Sequence, residues 1–258
     1  MRRFNQFVGL AAALMASGAV SPAAAQDYLQ LGVGADYSSG DYGDVVDTEM
    51  LALPVTVKYQ AGDFFLSAST SYLRVDGPES VVPGDGGAIP GGPSAELSTR
   101  SGLGDVILTA GYSIPLTDRT YFDLVGKAKL PTASEDKFLG TGTTDFTIQG
   151  ELLQAFGDMS ASLRGGRRFN GSNEIFPLRD VWQAGAGLYY QTGPVTLGLD
   201  YDWREGSLVT AADRSEATAS MTYRLNDGVR LQGYGYTGFA DGSPDLGGGL
   251  QLLYRFGM

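Results

Sequence analysis

Gly249-Leu250-Gln251-Leu252-Leu253-Tyr254-Arg255-Phe256-Gly257-Met258 places Leu250, Leu252, Tyr254, Phe256 and Met258 on one face and Gly249, Gln251, Leu253 and Arg255 on the other. The alternation reads as a strand, because successive strand side chains point to opposite sides. Working outward, runs of about ten residues repeat it twelve times. They fall at 28–37, 50–59, 64–74, 103–114, 120–130, 143–155, 159–169, 181–191, 195–204, 215–225, 229–239 and 247–257. Each is near the ~9–11 residues that a tilted strand needs to cross a bilayer.

The connectors alternate as well. Ala61-Gly62-Asp63, Pro115 to Arg119, Gly157-Asp158, Thr192-Gly193-Pro194 and Asn226-Asp227-Gly228 are short and rich in turn formers. The segments 38–49, 75–102, 131–142, 170–180, 205–214 and 240–246 are longer. This asymmetry is the pattern of a transmembrane antiparallel up-and-down β-barrel of about 12 strands, with short turns in the periplasm. An even strand count brings both termini to that side. Aromatic residues gather at both strand ends. Tyr37, Phe146, Phe169, Trp182, Trp203 and Phe239 lie near the loops; Tyr59, Tyr112, Phe156, Tyr190, Tyr223 and Phe256 lie near the turns. Two girdles suit two lipid–water interfaces, whereas a soluble sandwich would turn the apolar face into its core.

Two strands fit less well. Arg167 falls on the outward face of its run, either snorkelling to headgroups or following a bulge at Gly165-Gly166. Arg74 falls on the outward face of the third run, opposite Ser67, Ser69 and Ser71.

Residues 1–25 read as a cleaved signal peptide, with Arg2 and Arg3 ahead of the apolar stretch Phe7 to Val20 and Ala23-Ala24-Ala25 at the cleavage site. Residues 26–258 are then one barrel domain. The sequence holds no Cys and no His, which removes disulfides, thiol chemistry, His triads and His–metal sites together. The precursor carries a formal charge of −11; without Arg2 and Arg3 it has 29 acids against 16 bases. A surface of that sign repels nucleic acid. Gly102-Leu103-Gly104-Asp105 has the look of a phosphate-binding loop, but a strand follows it where that motif needs a helix. Asp200 and Asp202 beside Arg204 read as an ion-pair ladder and not as an acid–base pair, so no enzyme and no cofactor is expected.

Several pieces together resemble one family of bacterial outer-membrane barrels, the transporter-like family labelled for a meta-pathway of phenol degradation. They are Gly40-Asp41-Tyr42-Gly43, Pro54 with Lys58-Tyr59, Gly77-Pro78, Ser101-Gly102-Leu103-Gly104-Asp105, Lys127-Ala128-Lys129-Leu130-Pro131-Thr132, and Leu139-Gly140-Thr141-Gly142 followed by Asp145. The resemblance implies an outer-membrane barrel that takes up small solutes, often aromatic or apolar. The C-terminal run also resembles the assembly signal of such barrels, although it ends Phe256-Gly257-Met258 and not on an aromatic residue.

Candidate lumen-lining residues are Lys58, Asp105, Asp123, Lys127, Lys129, Asp145, Glu151, Arg164, Arg168, Asp200, Asp202, Arg204, Arg224, Arg230, Tyr234, Tyr236 and Arg255. With Asp36 and Glu216 the inward charges come close to balance, which fits either stiffening ion pairs or a polar pathway. Selectivity for ions is then expected to be weak unless the two signs separate. The long loops hold sixteen carboxylates against Arg100, Lys137, Arg179 and Arg214, an acidic rim. Loop 76–99, full of Gly and Pro, holds little that forms a core; it reads as mobile, either folded inward as a constriction or solvated outside. Twelve strands lie between a filled interior and an open channel. Two functions stand at this point. One is a channel for passive uptake of a small solute, as a monomer in outer-membrane lipid placed there by the assembly machinery. The other is a closed structural or surface-interaction barrel acting through its acidic loops.

Overall fold

The computed structural model describes residues 27–84, 87–90 and 96–257, with 87–90 as backbone only. The expected signal peptide, residues 1–25, lies outside the described residues. Twelve antiparallel strands close on themselves. In chain order the strands are β1 (Tyr28–Gly40), β2 (Thr48–Ala61), β3 (Phe64–Pro78), β4 (Val81–Gly84), β5 (Gly87–Pro90), β6 (Leu97–Leu103), β7 (Val106–Thr117), β8 (Thr120–Leu130), β9 (Asp145–Phe156), β10 (Met159–Phe169), β11 (Val181–Thr192), β12 (Val195–Arg204), β13 (Arg214–Arg224), β14 (Val229–Gly238) and β15 (Leu246–Gly257). Neighbours in sequence pair around the ring, and β1 pairs β15 from Tyr28↔Gly257 to Ser39↔Leu246 to close it. Closure leaves no free edge.

β6 and β7 act as one barrel strand interrupted at Gly104-Asp105. β6 pairs the loop end of β3, up to Tyr72↔Leu103, and β7 pairs the turn end, from Ser69↔Ile107. At the break the Gly104 amide donates to the Ser71 carbonyl at 2.8 Å. The fit there is close, since a Cβ would stand 3.0 Å from the Leu73 side chain. β4 and β5 form a separate hairpin inside the longest loop.

The five turns at one end are short, and Gly62, Gly157 and Gly193 supply the positive φ that tight hairpins need. The six long connectors lie at the other end, and the two ends of the described chain lie with the turns. Alternation holds on nearly every strand. Leu31, Val33, Leu53, Val55, Leu124, Ile148, Leu163, Leu199, Leu250 and Leu252 all stand exposed on the outside. Such a continuous apolar exterior is a surface that lipid covers. The girdle residues face outward with it, Trp182 at 52 % exposure near the loops and Phe156 at 61 % near the turns.

β10 keeps an unbroken register with both neighbours through Gly165 and Gly166, so no bulge reverses its phase. Arg167 does point outward. It lies 5.0 Å over the Trp182 ring and 3.7 Å from Asp180. Arg74 also points outward and pairs with Asp76 at 3.0 Å, beyond the apolar belt. Strands outrun the expected limits at the loop end, most of all β3 and β6, whose ladder continues to Pro78↔Leu97. Polar side chains such as Asp76 and Thr99 cover that extension, so it carries no hydrophobic alternation.

Candidate functional site

The inner face has two parts, a cap near the loops and a charged barrel interior beneath it. The cap grows from the longest loop. Val81 and Val82 are fully buried, Val81 against Tyr42, Met50, Val75, Ala133 and Leu139, and Val82 against Phe176, Leu178 and Leu208. Met50 and Val75 belong to the inner faces of β2 and β3, so Val81 sits within the barrel mouth. The expectation that loop 76–99 has no core therefore fails at these two residues. A four-residue strand between Gly and Pro clusters is too short for composition to reveal. Its apolar partners also come from four other connectors and two barrel strands.

Arg100 holds the cap in place. Placed on the inner face of β6, its guanidinium donates to the carbonyls of Gly77 and Pro78, each at 3.2 Å, and to that of Val81. One cation thus satisfies three backbone acceptors at the base of the hairpin, a set of charge-assisted bonds. Sequence reasoning counted Arg100 with the loop bases. The signal that was missed is its parity with Gly102 on a strand that begins at Leu97. Further hydrogen bonds join the connectors: Ser80 donates to Asp44, and the Tyr42 hydroxyl meets Ser38 at 2.8 Å. Burial pushes the Tyr42 hydroxyl up to about 12.

Just beneath the cap, carboxylates and cations neutralise each other. Asp145 accepts from Lys129 at 2.9 Å, from Arg168 at 2.6 Å and from the Gly171 amide at 2.9 Å. Lys129 also reaches Asp105 at 3.4 Å and donates to Thr141 at 2.8 Å. Asp105 accepts the Ala133 amide as well. Arg214 pairs with Glu216 on its own strand. Asp36 accepts from Tyr234 at 2.9 Å and Tyr236 at 3.0 Å. These two rings lie against the wall, because Gly249 and Gly247 leave room; a Cβ there would come within 2.5 and 2.2 Å of them.

From mid-height to the turns the charges separate around the ring. On β12, Asp200 and Asp202 accept from Arg164 of β10 at 3.2 and 2.7 Å, and Tyr189 donates to Asp200. Asp123 of β8 lies directly opposite Glu151 of β9 in the register and accepts from Ser113. Lys127, buried, sits four residues from Asp123 toward the loops. On the other side, Arg224 of β13 is directly opposite Arg230 of β14. Arg255 of β15 is opposite Gln30 of β1, which is opposite Lys58 of β2. Arg255 stacks 3.7 Å from the Tyr28 ring centre, and Lys58 lies 4.4 Å from that of Phe65. Arg204 is half-buried at the loop end of β12.

The sequence candidates do not form one site. Lys129, Asp105, Asp145 and Arg168 form one network, Arg164, Asp200 and Asp202 a second, and the turn-end bases a row.

No family model matches the chain, and no curated protein matches its sequence. Its fold is similar to that of solved outer-membrane proteins. An outer-membrane channel from Pseudomonas putida F1 superposes with a TM-score of 0.68 at 17% identity, over 90% of this chain and 96% of that one. A KdgM porin in complex with oligogalacturonate gives 0.55 at 9% identity over 88% and 99%. A NanC porin gives 0.55 at 11% over 88% and 100%.

Proposed function

We propose that this chain is an outer-membrane channel for passive uptake of a small solute, with its barrel interior as the path and the hairpin cap as the gate. The observation that carries the reading is the contrast in chemistry across one closed wall. The outside is an apolar belt, whereas the inside carries ionisable residues from Lys129 near the loops to Arg230 near the turns. A filler core would not need so many charges, since burying ions is costly and apolar packing stabilises at least as well. The fold likeness to an outer-membrane channel and to two porins supports the same reading.

Several finer statements belong to this proposal. The leader 1–25 directs export and is removed. The barrel inserts as a monomer through the assembly machinery, with short turns and termini in the periplasm. The seventeen inner-face candidates screen the solute. Membership of the phenol-degradation family, and with it an aromatic or apolar solute, rests on the sequence pieces quoted above. No catalytic role is assigned to any residue.

Purified protein in a planar bilayer is expected to show discrete conductance, small for the intact chain and several-fold larger after deletion of 80–95. Heat-modifiable gel migration verifies that the deleted barrel still folds. A barrel that stays closed even without the hairpin would sink the channel. The burial of Val81 and Val82 at the barrel mouth favours a second reading, a structural barrel acting through its acidic loops. It predicts no swelling of liposomes with any solute.

A further inference from the structure

The interior below the cap has two unlike walls. Around the ring, β13, β14, β15, β1 and β2 carry Arg224, Arg230, Arg255 and Lys58, and β8 to β12 carry Asp123, Glu151, Asp200 and Asp202 with Arg164 and Lys127 among them. In a closed barrel these two arcs of five strands face each other across the lumen. Each arc also sets like charges directly opposite on neighbouring strands, Arg224 with Arg230 and Asp123 with Glu151. Such pairings destabilise a sheet, and register by itself does not demand them. Exchanging one member of each pair would put opposite charges side by side and relieve both.

A second observation points to a ligand. Glu151 is 2 % exposed, yet neither of its carboxylate oxygens accepts a hydrogen bond of good geometry. Its polar surroundings are the Ser162 hydroxyl and the Arg164 guanidinium, and Arg164 is already engaged by Asp200 and Asp202. Asp200 Oδ2, Ser160 Oγ and Ser162 Oγ are likewise buried without a hydrogen-bond partner. A buried carboxylate left without donors is expensive; the unpartnered Ser160 and Ser162 hydroxyls can supply one donor each, and a cation more. An ammonium group supplies three. The basic wall offers guanidinium donors to a carboxylate, with which they form strong paired bonds.

We propose that the turn half of the lumen is a subsite for a zwitterionic small solute carrying a primary ammonium and a carboxylate. The ammonium is received at Glu151 and Asp200, and the carboxylate at the row of Arg224, Arg230 and Lys58. This rests on the channel reading of the barrel and not on the aromatic or apolar solute that the family resemblance implies, because the solute is the one that would permeate. It also accounts for the like-charge neighbours Asp123 with Glu151 and Arg224 with Arg230. A solute with both charges is oriented across the lumen by both walls, whereas one with a single charge meets repulsion from one of them.

The test uses the full barrel in detergent and 4-aminobutyrate as the zwitterionic probe, with butyrate and a neutral polyol of similar size as comparisons. Titration calorimetry reads binding without requiring permeation. The zwitterion is expected to bind, and the other two to bind at least tenfold more weakly. Glu151→Gln, Arg230→Gln and Arg224→Gln should each weaken the zwitterion at least tenfold, while exposed Lys137→Gln leaves it unchanged. Heat-modifiable migration identifies any variant that fails to fold, and the remaining variants still decide. Binding that ignores both walls, or that favours butyrate, overturns the subsite. Liposome swelling separates the two claims. Zwitterion binding without swelling overturns the channel and leaves the subsite; swelling that does not distinguish zwitterion from polyol, with no binding, does the reverse.

Discussion

The loop half of the interior and the turn half are built from the same residue types to opposite effect. Near the loops, Asp145 is shared by Lys129 and Arg168, Glu216 takes Arg214, and Asp36 takes two tyrosine hydroxyls. Near the turns, Glu151 accepts no hydrogen bond of good geometry and Arg224 stands opposite Arg230. The loop half pairs its ions under an apolar cap, although Arg214 Nε and Nη1 make no hydrogen bond; the turn half holds one ion triad, at Arg164, and sets like charges side by side at Asp123 with Glu151 and at Arg224 with Arg230. A satisfied network fixes structure, because every buried ion has its partner. Separated charges leave binding capacity, at a cost in stability. On the proposed reading the gate lies in the loop half and recognition in the turn half, and substitutions in each half should behave accordingly.

The largest effect is expected at Asp145. Replacing it by Asn removes the anion that Lys129 and Arg168 share, leaving two buried cations with only Asp105 nearby. Breaking a buried pair of this kind costs about 3–5 kcal/mol. Urea unfolding in lipid or detergent, followed by heat-modifiable migration, should show a loss of that size. A loss below about 1 kcal/mol, the range of an exposed pair, would mean that water already serves this network and that the two halves are alike.

Arg100 should come next. Arg100→Met keeps much of the side-chain length but gives up the donors to Gly77, Pro78 and Val81. Leaving buried acceptors unsatisfied costs about 1–3 kcal/mol. The loss should fall on the cap and not on the barrel, so hydrogen exchange should rise at 79–84 and mean conductance should increase. Unchanged exchange there would show that Val81 and Val82 hold the cap by apolar packing alone. A smaller effect is expected outside, at Arg167→Gln. It removes an exposed contact with Trp182 and a long contact with Asp180, together worth about 0.5–1 kcal/mol.

The sequence made the wall legible and left the cap hidden. A period of two survives along each strand because lipid on one side and polar groups on the other impose it locally, as at Leu250 to Arg255. Connector length alone then ordered the strands. The cap leaves no such trace. Val81 is buried by Tyr42, Met50 and Leu139, residues far away in sequence, and no periodicity records a contact of that kind. Face assignment placed Glu151 and Arg224 inward, and their signs looked balanced when summed. Only the register shows which charges are neighbours, since Asp123↔Glu151 and Arg224↔Arg230 depend on how far each strand is shifted along the next.

The smallest expected change is also the sharpest test of the comparison. Glu151→Gln keeps the shape and removes a buried charge that accepts no hydrogen bond of good geometry. In the loop half the matching change at Asp145 destroys a network, but here no bond is lost. Relief of repulsion from Asp123 and of the desolvation cost opposes the lost attraction to Arg164, which Asp200 and Asp202 still hold. Stability should therefore stay within about 1 kcal/mol of the parent or rise slightly, measured by the same urea unfolding. A loss near that of Asp145→Asn would show that Glu151 is bonded in the lipid-inserted barrel, through Ser162 or Arg164. The turn half would then be a second paired network, and its walls would owe their charges to structure instead of to a solute.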